Sequence, residues 1–363
     1  MIKGFITGSF RPFHKGHEAL IDYAKEHCDE LTILITTLKD EVIPYKYRLK
    51  WVLSTYLDDP QITVIADVIT EPDITGDALS GWWGNYVFRQ FGHFDRVFTS
   101  ESYGDLFAKS MGAEHWRFNQ SRTIVPISAT NIRRKPITNW DYLNNFAKDY
   151  FVKKIAIVGT ESTGKSTLAK QLAEHYNTLY VPDNPSFIPE IGRDLVSNAV
   201  GAPVEDETFV HEIGRDLVPN PKGCTVKDLQ IVGVEHAKSI IKCTRLANKI
   251  LIIDTDLNIT KSYAKYLFGE TLRYDPWVEK ANEIDLYIYL TKDTPYIDDG
   301  TRLPESERDM LDNGHYSFFK DKNNVIRLSW LTHEAFTPVI NQRRYDKRLK
   351  YAIQEIDAFL KKY

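Results

Sequence analysis

A chain of 363 residues, 42% hydrophobic and 26% charged, is long for one domain, comfortable for two, and ordinary in composition for a soluble globular protein. Its net charge of −4 removes any electrostatic reason to expect nucleic acid or an anionic membrane as a partner. No apolar run approaches the roughly 18 residues of a membrane span, and the three cysteines (Cys28, Cys224, Cys243) lack metal-ligand spacing, which fits a reduced, cytoplasmic setting.

The chain passes from Met1 straight into an apolar run, Ile2 to Ile6, with no signal peptide pattern. That run predicts a strand, and the amphipathic stretch Ala19 to Cys28 predicts a helix. Between them lies Gly8-Ser9-Phe10-Arg11-Pro12-Phe13-His14-Lys15-Gly16-His17. Gly8 lets the backbone approach a ligand, Pro12 stiffens the turn, and two imidazoles three residues apart face a helix N-terminus, which favours an anion. No nucleophile with an attendant base is present, so the arrangement suits a phosphate whose charge grows in the transition state.

Leu31 to Thr37, Ile62 to Val68 and Arg96 to Thr99 read as further strands, separated by helical patterns at Tyr47 to Leu57 and Trp83 to Phe91. Alternating strands and helices imply a parallel sheet with ligands at the carboxyl ends of its strands. Two stretches are expected in that crevice. Phe98 to Gly104 ends a strand in small polar residues, and Ile127-Ser128-Ala129-Thr130-Asn131-Ile132-Arg133-Arg134 enters a helix. Ser128 and Thr130 can cap that helix or bond phosphate oxygens, and Arg133 can hold such oxygens bidentately.

Lys135 to Val152 is the junction, with an aromatic-rich helix expected from Asn139 to about Tyr150 as a packed connector. Strand structure restarts at Lys154 to Val158. It leads into Gly159-Thr160-Glu161-Ser162-Thr163-Gly164-Lys165-Ser166, which fits the phosphate-loop pattern G-x-x-x-x-G-K-[ST] at every specified position. In that pattern Gly159, Thr163, Gly164 and Thr167 belong to the cradle, Lys165 reaches the β/γ oxygens, and Ser166 ligates Mg²⁺. Lys249 to Asp254 is a buried strand ending in a carboxylate, with Asp256 two positions on. Asp254 and Asp256 are both candidates for organising the metal and for accepting a substrate proton, and capping of the next helix competes for Asp256. Leu286 to Leu290 and Asn324 to Leu328 read as strands, and Thr337 to Tyr363 as helix. The polar stretch Pro295 to Arg302 reads as a lid whose Arg302 would stabilise a transferred phosphoryl group.

Glu190-Ile191-Gly192-Arg193-Asp194-Leu195-Val196 recurs unchanged as Glu212 to Val218, an offset of 212 − 190 = 22. Two copies are too few for a solenoid and imply a local tandem duplication.

The opening stretch resembles the G-x-F-x-P-x-H-x-G-H signature of the nucleotidyltransferase superfamily, and residues 127–133 resemble the I-S-x-T-x-I-R motif of adenylyltransferases acting on mononucleotides. The resemblance implies that Thr7, Gly8, Ser9, Phe10, Ser128, Thr130 and Arg133 bind the nucleotide, with His14 and His17 catalytic and Arg122 matching an upstream basic residue. It places Trp82 and Trp83 where relatives stack an aromatic ring on nicotinamide, although the usual Pro-Asn-Gly-Trp wording is absent and core packing is an equal alternative. With a phosphate-loop kinase following, the whole order resembles the NadR-type family of bifunctional enzymes. Its kinase domains carry a Glu-x-x-Arg segment at the substrate pocket, which favours Glu190 and Arg193 here, since Pro189 matches the family wording.

The expected fold is therefore α/β in two domains: a Rossmann-like nucleotidyltransferase sheet over residues 1–137, a connector over 138–152, and a P-loop kinase over 153–363. The resemblance implies ATP as co-substrate in both halves, Mg²⁺, and nicotinamide riboside, nicotinamide mononucleotide (NMN) and NAD as ligands. It implies no nucleic-acid or membrane partner and leaves homo-oligomerisation open. Some relatives begin with a DNA-binding helix-turn-helix, a role made doubtful by a catalytic strand that starts at Met1. Two alternatives stand beside it: a fusion to a nucleoside or nucleotide kinase unrelated to NAD, separable by activity across nucleosides, and a nucleotide-sensing regulator with decayed catalysis. His14, His17, Lys165 and Asp254 argue against the latter.

Overall fold

In the computed structural model, which describes residues 1–37, 41–121, 123–182, 225–294, 296, 304–329 and 338–363, the chain separates into two compact units. One comprises residues 1–151 with Tyr363, the other residues 152–362.

The first unit holds β1 (Lys3–Gly8), α1 (Lys15–Lys25), β2 (Glu30–Thr37), α2 (Tyr45–Thr55), β3 (Ile62–Val68), α3 (Gly76–Phe91), β4 (Arg96–Thr99), α4 (Gly104–Met111), β5 (Glu114–Arg117) and α5 (Ala129–Arg134). Its sheet has the order β3-β2-β1-β4-β5, every pair parallel. The apolar runs supply the central strands: Phe5 and Ile6 of β1 and Ile33, Leu34 and Ile35 of β2 have no exposed surface. β1 is the strand where the order reverses, so the loop after it opens at the crevice where ligands of such sheets bind.

The second unit holds β6 (Lys153–Gly159), α6 (Lys165–His175), β7 (Tyr180–Val181), α7 (Val226–Thr244), β8 (Ile250–Asp254), α8 (Leu257–Phe268), α9 (Pro276–Ala281), β9 (Leu286–Leu290), α10 (Arg308–Ser317), β10 (Val325–Leu328) and α11 (Pro338–Leu360). Its parallel sheet runs β10-β9-β6-β8-β7, with β6 again at the reversal. Ile155, Ile157, Ile252, Ile288 and Leu290 form its core with Leu168 and Leu172 of α6 and Ala352 and Ile356 of α11. Among the described residues no helix is long and apolar enough to cross a membrane.

The predicted strands recur within a residue or two, while polar or short elements escape the periodicity. β5, Glu-His-Trp-Arg, has no apolar alternation and is a strand because it pairs with β4. The expected helix after Asn139 is instead two 3₁₀ turns, Trp140–Tyr142 and Asn145–Tyr150, packed within the first unit. Leu143 forms an antiparallel bridge to His14, and Asn144 is extended there (φ −61, ψ 145), so the backbone between the turns cannot be helical. The duplicated segment, with both its Glu and Arg copies, lies outside the described residues.

α3 approaches α4 closely at Gly84, where a Cβ would stand 2.5 Å from the Phe107 carbonyl and 2.6 Å from the Ser110 Cβ. Gly84→Ala is therefore expected to cost the first unit about 1–3 kcal/mol by overpacking. Urea unfolding followed by a probe in that unit measures it. An unchanged midpoint would mean that the helices part freely.

Two candidate nucleotide sites

After β1 the chain turns at Phe10, a left-handed residue (φ 47) whose ring is 2% exposed. That ring meets His17 edge-on at 4.9 Å between centroids, and Phe13 lies parallel to His17 at 5.9 Å. His14 is the N-cap of α1, its Nδ1 accepting the Gly16 N–H at 3.0 Å. A neutral His14 then carries its proton on Nε2. The two imidazoles stack at 3.8 Å. Burial, and next the neighbouring His14, hold the His17 pKa well below the usual value, so the ring is neutral at pH 7. Its Nδ1 is buried with no hydrogen-bond partner among the described residues. Gly16 has to be glycine, since a Cβ there would lie 2.9 Å from His14 Cε1.

The loop's carbonyls are held from elsewhere. Arg48 of α2, with no exposed surface, donates to the Ser9 carbonyl at 2.6 Å and to the Thr36 carbonyl at 2.9 Å, and pairs with the Glu41 carboxylate. Arg11 pairs with Glu41 at 3.0 Å. Arg133 donates to the Arg11 carbonyl and, at 3.0 Å, to Thr130 Oγ1, while Ser128 caps α5 by accepting the Asn131 N–H at 3.2 Å. The Asn144 N–H donates to the Phe13 carbonyl at 3.3 Å, and its side-chain amide reaches Glu18 at 2.6 Å and Thr55 at 3.0 Å. The structure thus joins His14, His17, Phe10, Thr130 and Arg133 in one neighbourhood, with Ser128 capping the same short helix. Thr7, near the end of β1, has its Oγ1 buried with no hydrogen-bond partner among the described residues.

Trp82 and Trp83 stand on α3 in a separate aromatic group. Trp82 stacks on Tyr86 at 5.4 Å, and Trp83 packs on the core and donates from Nε1 to Glu71 at 2.8 Å. Tyr86 donates to Asp67, and burial followed by that carboxylate pushes its hydroxyl up to about 12. Arg122 lies outside the described residues.

In the second unit Gly159 (φ 145) ends β6 where any Cβ would stand 2.5 Å from the Leu290 carbonyl of β9. Ser162 (φ 56) and Gly164 (φ 82) are left-handed, and Gly164 is the N-cap of α6. Thr163 Oγ1 and Lys165 Nζ both donate to the Thr160 carbonyl, at 2.8 and 3.0 Å. Ser166 and Thr167 are exposed in the first turn of α6. Asp254, 1% exposed, closes β8 next to β6, in register with Ile157. Asp256 is the N-cap of α8 and accepts the Asn258 and Ile259 N–H groups at 3.1 and 3.2 Å and the Tyr287 hydroxyl at 3.2 Å. The two carboxylates therefore occupy different environments, one at the strand end and one consumed by a helix cap. Glu190, Arg193 and Arg302 lie outside the described residues.

His315 of α10 has no exposed surface. Its Nδ1 bonds Ser262 Oγ at 2.9 Å, and its ring meets Tyr263, whose hydroxyl donates to Glu161 of the phosphate loop at 2.9 Å. Burial, and next the nearby Lys165 charge, lower its pKa to about 3.

A family model described as an AAA domain matches residues 154–321. The trifunctional NAD biosynthesis/regulator protein NadR of Escherichia coli (strain K12) is 29% identical over 318 residues, 82% of this chain and 71% of that protein. The chain is a homologue of NadR. NadR of Salmonella typhimurium matches over the same span at 29% identity. A nicotinamide-nucleotide adenylyltransferase of Thermococcus onnurineus is 27% identical over 161 residues, 42% of this chain and 83% of its own length. A solved NadR structure in complex with NAD and AMP-PNP superposes with a TM-score of 0.70 at 18% identity, covering 97% of this chain and 95% of that one. A NadR structure in complex with NR gives 0.69. The NadR-like fold thus extends over both units.

Arg48, Glu41 and Asn144 escaped the sequence reading, because an arginine in a helix and an asparagine in a connector carry no motif. Their roles come from burial and from which carbonyls or side chains they reach.

The buried His315 generates a pH prediction. Its folded pKa of about 3 lies below the 6.5 of an unfolded histidine, so between these values the unfolded state binds the proton and stability falls as pH falls. At pH 5 the loss is about 2 kcal/mol relative to pH 7. His315→Gln is expected to flatten that slope for the second unit, measured by denaturant unfolding at both pH values. An identical slope in the variant would place the titration elsewhere.

Proposed function

We propose that the chain makes NAD from nicotinamide riboside in two ATP-dependent steps. The second unit transfers the γ-phosphoryl group of ATP to the riboside hydroxyl, giving NMN. The first unit then joins NMN to the AMP moiety of a second ATP and releases pyrophosphate. The observation that carries this reading is the presence of two separate phosphate cradles, each after the central strand of its own parallel sheet, in a chain homologous to NadR over 82% of its length. Relatives known to act in NAD biosynthesis favour it over a kinase for unrelated nucleosides.

In the first unit the neutral His14 and His17 donate hydrogen bonds to phosphate oxygens as negative charge builds on them, and Thr130 and Arg133 add donors from the second motif. Trp82, stacked on Tyr86, is the better ring for nicotinamide, since Trp83 is tied to Glu71 and the core. In the second unit the loop N–H groups and Lys165 hold the ATP phosphates. The Ser166 hydroxyl and Asp254 carboxylate are hard oxygen donors suited to Mg²⁺, which would neutralise phosphate charge when bound. Asp254 also takes the role of receiving the riboside hydroxyl proton, because Asp256 is occupied as a helix cap. Arg302 on the transferred group, Glu190 and Arg193 on the riboside, and Arg122 on ATP complete the assignment from their motifs.

Mass detection of NAD after mixing the protein with riboside and Mg-ATP tests the whole reading, and no NAD or NMN would refute it. The two steps should also be separable. Lys165→Ala is expected to abolish riboside phosphorylation and leave adenylylation of supplied NMN largely intact, and His17→Ala to do the reverse. His17→Ala should lower kcat by about 10²–10³ with little change in KM, as for a lost transition-state donor. A large rise in KM at constant kcat would reassign His17 to ground-state binding.

A further inference from the structure

The phosphate loop is braced by two buried arginines that belong to no recognised motif. Thr294, 7% exposed, donates from Oγ1 to the Ser162 carbonyl at 2.6 Å. Arg308 of α10, also 7% exposed, donates to that same Oγ1 at 2.8 Å and to the Thr294 carbonyl at 2.6 Å. From α11, Arg348, 3% exposed, donates to the Thr163 carbonyl at 2.6 Å and to the Leu328 carbonyl at 3.3 Å. Two successive carbonyls of the loop therefore receive donors from distant helices, one directly and one through a hydroxyl.

In a trans peptide the N–H points opposite to the C=O. A donor on the Ser162 carbonyl thus turns the Thr163 N–H the other way, and a donor on the Thr163 carbonyl does the same for Gly164. Each bond also polarises its peptide and strengthens the N–H on the far side, and the guanidinium–hydroxyl–carbonyl chain does so cooperatively. Ser162 is a non-glycine residue in the left-handed region, so its peptide needs an external hold. Burial lowers the pKa of Arg348 to about 10, which still leaves it charged at pH 7.

We propose that Arg308, acting through Thr294, and Arg348 are positioning residues that aim and strengthen the Thr163 and Gly164 N–H donors of the phosphate loop toward ATP. The role in turnover rests on the kinase reading above, but the role in binding does not.

Thr294 provides the clean test, because valine keeps its shape without the hydroxyl and serine keeps the hydroxyl. Mg-ATP affinity is measured by calorimetry on the full chain without riboside or NMN and fitted with two sites, the second unit's site being the one that Lys165→Ala weakens. Riboside phosphorylation is measured separately. Thr294→Val is expected to weaken Mg-ATP binding at the second unit about tenfold and to lower kcat/KM by about 10–100-fold, while Thr294→Ser stays within about threefold. Arg348→Gln, which keeps a donor and removes the charge, should weaken Mg-ATP by a similar factor. Wild-type ATP affinity in Thr294→Val, or equal losses in the valine and serine variants, would overturn the relay. Unchanged affinity in Arg348→Gln would overturn the role of its charge. A wild-type protein that binds Mg-ATP without phosphorylating riboside would instead refute the kinase reading and leave the binding comparison intact.

Discussion

A loop that aims successive N–H groups at one anion cannot satisfy all of its own carbonyls, and both halves of this protein are organised around that constraint. Every buried peptide needs a partner for its C=O as well as its N–H. In the opening loop the Ser9 carbonyl takes Arg48, the Arg11 carbonyl takes Arg133 and the Phe13 carbonyl takes the Asn144 N–H. In the phosphate loop the Ser162 carbonyl takes Thr294 and the Thr163 carbonyl takes Arg348. Two unrelated chemistries thus share one structural solution, in which the ligand side belongs to a short motif and the reverse side is held by the rest of the fold.

That solution explains the buried arginines. A guanidinium removed from water is costly, and the cost is offset only where several donors are used. Arg48 meets the requirement with two carbonyls, a threonine hydroxyl and the Glu41 carboxylate. Arg308 and Arg348 meet much of it with neutral oxygens, which leaves positive charge behind a loop built for polyphosphate. The parallel sheets supply the geometry, since each reverses strand order at the strand that enters its loop and so opens a crevice at its end.

The two sites differ in how charge is handled. The first holds two stacked imidazoles, of which His17 is kept neutral by burial and by the neighbouring His14. The second has a lysine, a strand-end carboxylate and the N-terminus of α6. Asp254 and Asp256, two residues apart, are separated in role by backbone geometry: the chain leaves β8 through Thr255 in the left-handed region (φ 69), and Asp256 enters α8 as its cap.

The strands with continuous apolar runs, the opening signature and the complete phosphate loop were all legible in the residues, because burial on both faces of a parallel strand and close approach of backbone to phosphate each demand particular side chains locally. β5 was not legible, since a short polar edge strand exists only through its partner. The helix expected after Asn139 gave way to two turns because Leu143 and Asn144 are recruited by His14, Phe13 and Glu18, a demand that no local propensity records. The bracing contacts were equally invisible, including that of Arg133, which its motif marks only as a holder of phosphate oxygens. Arg48, Arg133, Thr294 and Arg348 reach carbonyls 39, 122, 132 and 185 residues away in the chain. Which groups receive an anion is written in local sequence, because those groups are the motif. What holds them in place is decided by tertiary structure, because a carbonyl's partner depends on what the fold brings near it.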